Sequence, residues 1–319
     1  MSFKKHMTRN VPGPKIAAAT SWYEFYQDVI LDGHYIKDYP KLHEKYGPIV
    51  QMSPNRVHIN DPNFYHREPA MFRFAGELDA LPFIMDPAAH RVRRGRQTVF
   101  DAILDAEPDH STKGLVDVAF SLVIGGTETT VTTITYGVWC ILKNPNVEKK
   151  MLEELRTVET NSDGLVEYPN LMNLPYLTAV IHETLRISSP APGILTRLVS
   201  SGGTKYGSHF LPADTSVSTA QRLIHYDPVL FPEPETFMPE RWLDNSDKAS
   251  KKNLIPFGKG PRMCVGLNLS YMQAYVFLGN LIRRFDLSLQ DKDQGILRWK
   301  DCIALHIEDD VLIKVNGLR

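Results

Sequence analysis

Cysteine is scarce in this chain and poorly placed for pairing. The 319 residues hold three, Cys140, Cys264 and Cys302. That number is odd and no C-x-x-C occurs, so neither a disulfide framework nor a zinc ribbon is encoded, and a reducing compartment is the simplest setting. Excess charge of either sign is lacking too. Lys and Arg number 36 against 37 Asp and Glu, a formal charge of −1, and 43% of residues are apolar. Such a composition excludes a disordered chain and a polybasic nucleic-acid binder, so no nucleic-acid partner is expected. There is no internal repeat and no low-complexity segment. The basic start, MSFKKHMTRNVPGPK, is followed by no apolar run, which is the pattern of neither a signal peptide nor an anchor, and the chain as written is expected to be soluble and cytoplasmic. Length alone allows two domains or one large one. The 22 Pro and 20 Gly lie in the flanks rather than in one linker, so a single irregular domain over residues 1–319 is expected.

What is present is mostly helical pattern with a small strand-rich region. From Leu115 to Leu142 only Asp117 and Glu128 are charged. Gly125-Gly126, Glu128 and a threonine cluster interrupt this run at its middle, which suits a buried core helix with a polar centre better than a membrane span. A loose helical pattern between Glu24 and Lys45 stops at Tyr46-Gly47-Pro48, and two short strands are expected around Ser53-Pro54-Asn55. Asp61-Pro62 should open a short helix. Asn144 before Pro145 and Asn173 before Pro175 read as caps of the next two helices. Residues 190–256 read as a small sheet with long coil. Beyond Cys264, the positions Ala274, Phe277, Leu278, Leu281, Ile282 and Phe285 mark one face of a long helix.

The segment before that helix carries the strongest chemical signal. In FGKGPRMCVG, Phe257 to Gly266, the glycines let the backbone turn tightly and approach a flat partner. Arg262 can pair an anion, and Cys264 sits where a helix N-terminus favours a thiolate. A lone cysteine is more often an ordinary core residue. The whole pattern Phe-x-x-Gly-x-Arg-x-Cys-x-Gly, however, resembles the haem-binding loop of the cytochrome P-450 family of haem-thiolate monooxygenases. That resemblance implies a mainly α fold with a small β-sheet region and haem b held by the axial thiolate of Cys264, with Phe257, Gly258 and Gly266 shaping the loop.

Further segments resemble the same family in the expected order. Gly125-Gly126-Thr127-Glu128-Thr129 looks like its central distal helix, where mid-helix glycine costs about 1 kcal/mol relative to alanine and so needs a reason such as close approach of a ligand. A threonine that bonds back to i−4 lets such a helix open locally. By resemblance, Thr129 would hydrogen-bond dioxygen on the distal side and Glu128 would help deliver protons; otherwise Glu128 faces a neighbour in a threonine-rich core. Glu183 and Arg186, at i and i+3, resemble the family's helical pair, and Arg241 in FMPERW the arginine that joins them in a buried network. These three are assigned to folding and retention of the haem loop. Arg262, Arg197, His90 and Arg94 are the candidate cations for two propionates, with His90 standing where tryptophan is more usual. For His90 a plain surface histidine, and for Arg94 a solvated basic face, remain the alternatives. Lys251, Lys252 and Lys259 near the cysteine loop suit an acidic electron donor. His182 and His225 read as ordinary structural histidines.

The resemblance, strongest to the fungal secondary-metabolism branch that includes trichodiene oxygenases, implies insertion of one oxygen atom from O2 into a hydrophobic terpenoid or polyketide. NADPH-cytochrome P-450 reductase would be the electron donor. It also exposes two departures. Such enzymes usually begin with an endoplasmic-reticulum anchor, which would place a longer form on that membrane. And only 30 residues separate Arg94 from Gly125, where the family has a series of helices roofing the substrate pocket. The fold is therefore expected to lack part of its distal helices, shortened near Gln97-Thr98, leaving the glycine-bearing helix with apolar surface too little covered. A catalytically inactive remnant that binds haem weakly or not at all is the alternative function.

Overall fold

The computed structural model describes residues 11–30, 35–65, 72–73, 99–106, 111–243, 248–291, 293 and 295–319. His90, Arg94 and the Gln97-Thr98 junction lie outside the described residues. The first part is a run of short elements: α1 (Lys15–Ala19), α2 (Trp22–Phe25), α3 (Tyr39–Tyr46), β1 (Ile49–Ser53), β2 (Arg56–Ile59), α4 (Pro62–Tyr65), β3 (Phe72–Arg73) and α5 (Val99–Ala106). The helical pattern of 24–45 is thus broken into pieces, with Pro40 fixing the start of α3. Asp61 caps α4 as its sequence suggests, its Oδ1 accepting from the Asn63 amide at 2.9 Å.

Helices build the middle. They are α6 (Thr112–Lys143), α7 (Pro145–Leu155), α8 (Tyr168–Leu171) and α9 (Pro175–Ser188). Asn144 does hold the N-cap position of α7 with proline following it, but Leu174 rather than Asn173 stands at the head of α9. Asn144 makes no cap bond to α7; its amide donates to the Cys140 carbonyl at 2.7 Å, closing the end of α6 instead. Asn173 donates to the Pro169 carbonyl, while the amides at the head of α9, Tyr176 and Leu177, are taken by the Glu154 carboxylate at 2.7 and 2.8 Å. A long-range carboxylate from α7 outcompetes the local amide because it offers two charged acceptors to two orphan donors.

The strand-rich region follows with β4 (Ile194–Val199), β5 (Thr204–Tyr206), β6 (His209–Leu211) and β7 (Ser216–Ala220). Its main sheet has the order β1-β2-β7-β4-β3, with β2 and β7 parallel and the other pairs antiparallel. After α10 (Gln221–His225) and α11 (Lys248–Asn253) comes α12 (Leu267–Arg284), then β8 (Phe285–Leu289), β9 (Trp299–Cys302), β10 (Ala304–Ile307) and β11 (Ile313–Leu318), paired as two hairpin-like ribbons. On α12 Ala274, Leu278 and Ile282 are buried and Leu281 and Phe285 pack against the same core, as the pattern suggests, whereas Phe277 is exposed and Tyr275, Gly279 and Asn280 are buried in its stead.

Helix α6 is long and apolar enough to cross a membrane by length and composition, yet it is split in two by its surroundings. Thr130, Thr132, Thr133, Tyr136, Gly137, Val138, Cys140 and Ile141 are buried, and the last turns join α7, α9 and α12 in the main core. A β-carbon on Gly137 would stand 3.0 Å from the Thr184 side chain and 3.3 Å from Leu278, so glycine is what lets α6 seat against α9. The first half is half-buried along Leu115, Val118, Ala119 and Leu122 and exposed on its other face. Val116, Phe120 and Val123 are 60–66% exposed. The expectation of a buried core helix therefore holds only for the second half; apolar character cannot bury a face for which the described residues provide no cover.

Candidate functional site

Cys264 ends a loop whose turns need glycine. Gly258 and Gly260 have φ of 71° and 79°, the left-handed region that side chains with a β-carbon rarely adopt. Between them and the cysteine, Gly260–Arg262 forms a single 3-10 turn. The loop closes on itself: the Cys264 amide donates to the Phe257 carbonyl at 2.8 Å, and the Gly258 amide to Ile255 at 3.0 Å. The Phe257 ring packs on Tyr271 of α12, 5.3 Å between centroids. The thiol is thereby presented, exposed, just before Gly266, which is the N-cap of the 18-residue α12. A β-carbon on Gly266 would lie 3.8 Å from the sulfur. The thiol therefore stands two residues ahead of the N-cap of α12.

Behind the loop lies a buried charge network. Glu183 and Arg186 are completely buried. The Glu183 carboxylate accepts from Arg186 Nε and Nη2 at 2.9 and 2.8 Å, from Arg241 Nε at 3.0 Å, from Trp242 Nε1 at 2.9 Å and from the Met238 amide at 3.0 Å. Arg186 spends its remaining donors on the carbonyls of His225, Pro234 and Thr236. The structure thus brings Glu183, Arg186 and Arg241 together and leaves the carboxylate saturated, which is the condition under which a buried charge is tolerated. The helical spacing pointed to the pair, but nothing in it pointed to Trp242, whose indole supplies one of the five bonds.

Of the candidate propionate partners, Arg262 and Arg197 are among the described residues. Arg262 is half-buried two residues before the cysteine. Arg197, on β4, is half-buried and donates to the Thr196 carbonyl at 2.9 Å. His90 and Arg94 lie outside the described residues. On α6, no described residue comes within 4 Å of a notional β-carbon on Gly125 or Gly126. The helix is continuous here, contrary to the expected local opening, and the Thr129 hydroxyl donates back to the Gly125 carbonyl at 2.6 Å. Glu128 faces the β9–β10 ribbon: its carboxylate is 3.6 Å from His306 Nδ1, both side chains half-exposed. One helical turn on, the Thr132 hydroxyl donates to the Leu305 carbonyl at 3.0 Å. Neighbouring residues of β10 thus meet positions one turn apart on α6. His306 was not legible as a neighbour of Glu128, since 178 positions separate them and only the fold brings them together.

These features define a class: a cysteine-presenting loop at a helix start, backed by a saturated Glu-Arg-Arg network, in a chain that also carries a glycine-bearing helix with a hydroxyl and an acid. The sequence profile of the cytochrome P-450 family matches residues 85–311, and the chain belongs to that family. It is similar to cytochrome P-450 monooxygenase BOT1 of Botryotinia fuckeliana, 29% identical over 469 positions covering 98% of this chain and 92% of that protein. It is also similar to monooxygenase aneF of Aspergillus aculeatus, 40% identical over 70% of this chain and 46% of that protein, and to monooxygenase cloA of Claviceps purpurea, 26% identical over 98% of this chain. An alignment of 469 positions against a chain of 319 residues leaves roughly a third of them without a counterpart here.

The family implies a haem, and the residues present fit one. Among the described residues no group of three or more His, Cys, Asp or Glu gathers to hold a metal, whereas a macrocycle needs only one axial side chain. Cys264 is exposed, glycines border it, and no described residue crowds the Gly125-Gly126 face of α6.

Proposed function

We propose that this chain is a haem-thiolate monooxygenase, acting as one domain, in which Cys264 is the axial ligand. The observation that carries this reading is the exposed Cys264 thiol at the head of α12, held by two main-chain bonds and backed by the Glu183 network. A thiolate-ligated haem, when bound, supplies the activation of dioxygen and the oxidative chemistry. Arg262 and Arg197 would pair its propionates, with His90 and Arg94 as further candidates; the arginine fork suits a carboxylate bidentately. On the opposite side the Thr129 hydroxyl would leave Gly125 to donate toward the reacting centre, and Glu128 would hold the proton that replenishes it. A hydrophobic natural product, terpenoid or polyketide, is the substrate class we favour. NADPH-cytochrome P-450 reductase would dock near Lys251, Lys252 and Lys259. The chain would act in the cytoplasm, or on the endoplasmic-reticulum surface in a longer anchored form.

Two variants test the assignment. Cys264→Ala should abolish the red-shifted carbon-monoxide band of the reduced haem protein; a normal band would remove Cys264 from its role. Thr129→Ala should lower product formed per NADPH consumed by at least about tenfold, the range of a positioned proton donor, and unchanged coupling would remove Thr129.

A second reading is favoured by a specific observation: the exposed face of the first half of α6, with Val116, Phe120 and Val123 facing water. It makes the chain a remnant that binds haem weakly and turns nothing over, because a site that does not exclude water loses protons and intermediates to side reactions. Substoichiometric haem with no NADPH-dependent product would establish it.

A further inference from the structure

The Glu183 network does not end at its charged members. Arg186 Nη1 donates to the His225 carbonyl at 2.9 Å. Ser189 Oγ donates to the Arg186 carbonyl at 2.8 Å and lies 3.0 Å from His225 Nδ1. The other ring nitrogen, Nε2, accepts from the Ile255 amide at 3.0 Å. A ring that accepts at Nε2 carries its proton on Nδ1, where Ser189 receives it. Ile255 is the next link, since its carbonyl takes the Gly258 amide, and Phe257 then takes the amide of Cys264. An unbroken series of hydrogen bonds and two short peptide links therefore runs from the buried carboxylate to the cysteine. Arg186, Ser189 and His225 are all completely buried.

We propose that His225 is a positioning residue for Cys264: its neutral ring ties the start of the cysteine loop to the Glu183–Arg186 network and thereby sets where the sulfur is presented. The proposal rests on the reading of Cys264 as the axial ligand. Leu, Phe or any apolar residue would fill the space without accepting from Ile255, and the stranded amide would be a buried donor without a partner. The surroundings keep the ring in the required state. Burial, then the cations Arg186 on α9 and Arg222 on its own helix α10, push His225 down to about 3, so Nε2 stays an acceptor at neutral pH. Glu183 lies beyond Arg186 and is saturated by its own donors, and Phe231 closes one side with a ring edge. Acid has one direction of effect. An opened loop frees the ring to titrate near its ordinary 6.5, so opening grows easier with each pH unit below that value.

The test compares wild type, His225→Leu and His225→Gln as full-length haem-free chains by amide hydrogen exchange. His225→Leu should speed exchange at Ile255, Gly258 and Cys264 by at least about tenfold, the scale of one lost buried acceptor, with the amides of residues 177–185 much less affected. His225→Gln, whose side-chain oxygen can accept, should restore most of the protection. In haem-loaded protein the Leu variant should convert the red-shifted reduced carbon-monoxide band to the unshifted form, and the Gln variant should keep it. Equal exchange in Leu and wild type, or equal behaviour of Leu and Gln, would overturn the proposal. If His225→Leu does not fold, a pH series on wild type decides: after correction for intrinsic rates, exchange at residues 255–264 should rise between about pH 6 and 4 ahead of residues 177–185, and a simultaneous rise would overturn it. A wild-type protein that never shows the red-shifted band would instead refute the ligand reading, leaving the exchange result standing by itself.

Discussion

The two halves of α6 belong to one continuous helix and share an apolar character, yet they meet opposite surroundings. Ile141 and Cys140 are sealed into the core, while Phe120 and Val123, five to six turns earlier, face water. Their glycines show the same contrast. Gly137 is gripped by Thr184 and Leu278, whereas Gly125 and Gly126 meet no described residue. Composition decides whether a face wants burial; neighbours decide whether it gets it. The buried half packs with α9, which carries the Glu183 network, and with α12, which follows the cysteine loop, whereas among the described residues the first half of α6 finds little cover.

The largest effect should come from breaking the buried side. Glu183→Ala strands Arg186 and Arg241 and should cost about 3–5 kcal/mol, read as a lowered urea midpoint or failure to fold. Acid should act on the same side. Burial first, then cations, lowers His225 to about 3 and His182 to about 4, and burial also lowers His43 and His58. The unfolded chain takes up these protons below about pH 6.5 while the native chain does not, so stability should be highest above that pH. It should fall by about 1.4 kcal/mol per histidine for each unit below it until the folded value is reached. Unfolding midpoints measured from pH 8 to 4.5 check this, and a flat profile would contradict the buried neutral state. Two glycine variants then set the halves against each other. Gly137→Val forces methyl groups into Thr184 and should destabilise by about 1–3 kcal/mol. Gly126→Ala meets open space and should stabilise by about 1 kcal/mol, the helix-propensity gain. Equal effects would mean that the open half is covered in solution.

Much of the cysteine loop and the Glu183 network was legible because their residues cluster in short motifs: FGKGPRMCVG with the helix after it, Glu183 with Arg186 three residues on, and FMPERW. The bare face of α6 was legible too, from the short span between Arg94 and Gly125. Caps were misjudged where distant partners win, as Glu154 does at the head of α9. Trp242, His225 and His306 were opaque as partners because their roles are tertiary: a single histidine in LIHYD carries no local sign that Ile255 will offer it an amide. The local opening expected at Thr129 did not occur, since its hydroxyl is satisfied within an unbroken helix.

The central claim is that the cysteine loop and the Glu183 network behind it suffice to hold a thiolate-ligated haem although the described residues leave the first half of α6 largely exposed. The carbon-monoxide difference spectrum of the dithionite-reduced protein, taken with the haem-to-protein ratio, tests it most directly. A strongly red-shifted Soret band at near-stoichiometric haem is the predicted result. Protein that takes up no haem, or gives only the unshifted band of a lost or neutral thiolate, would contradict it.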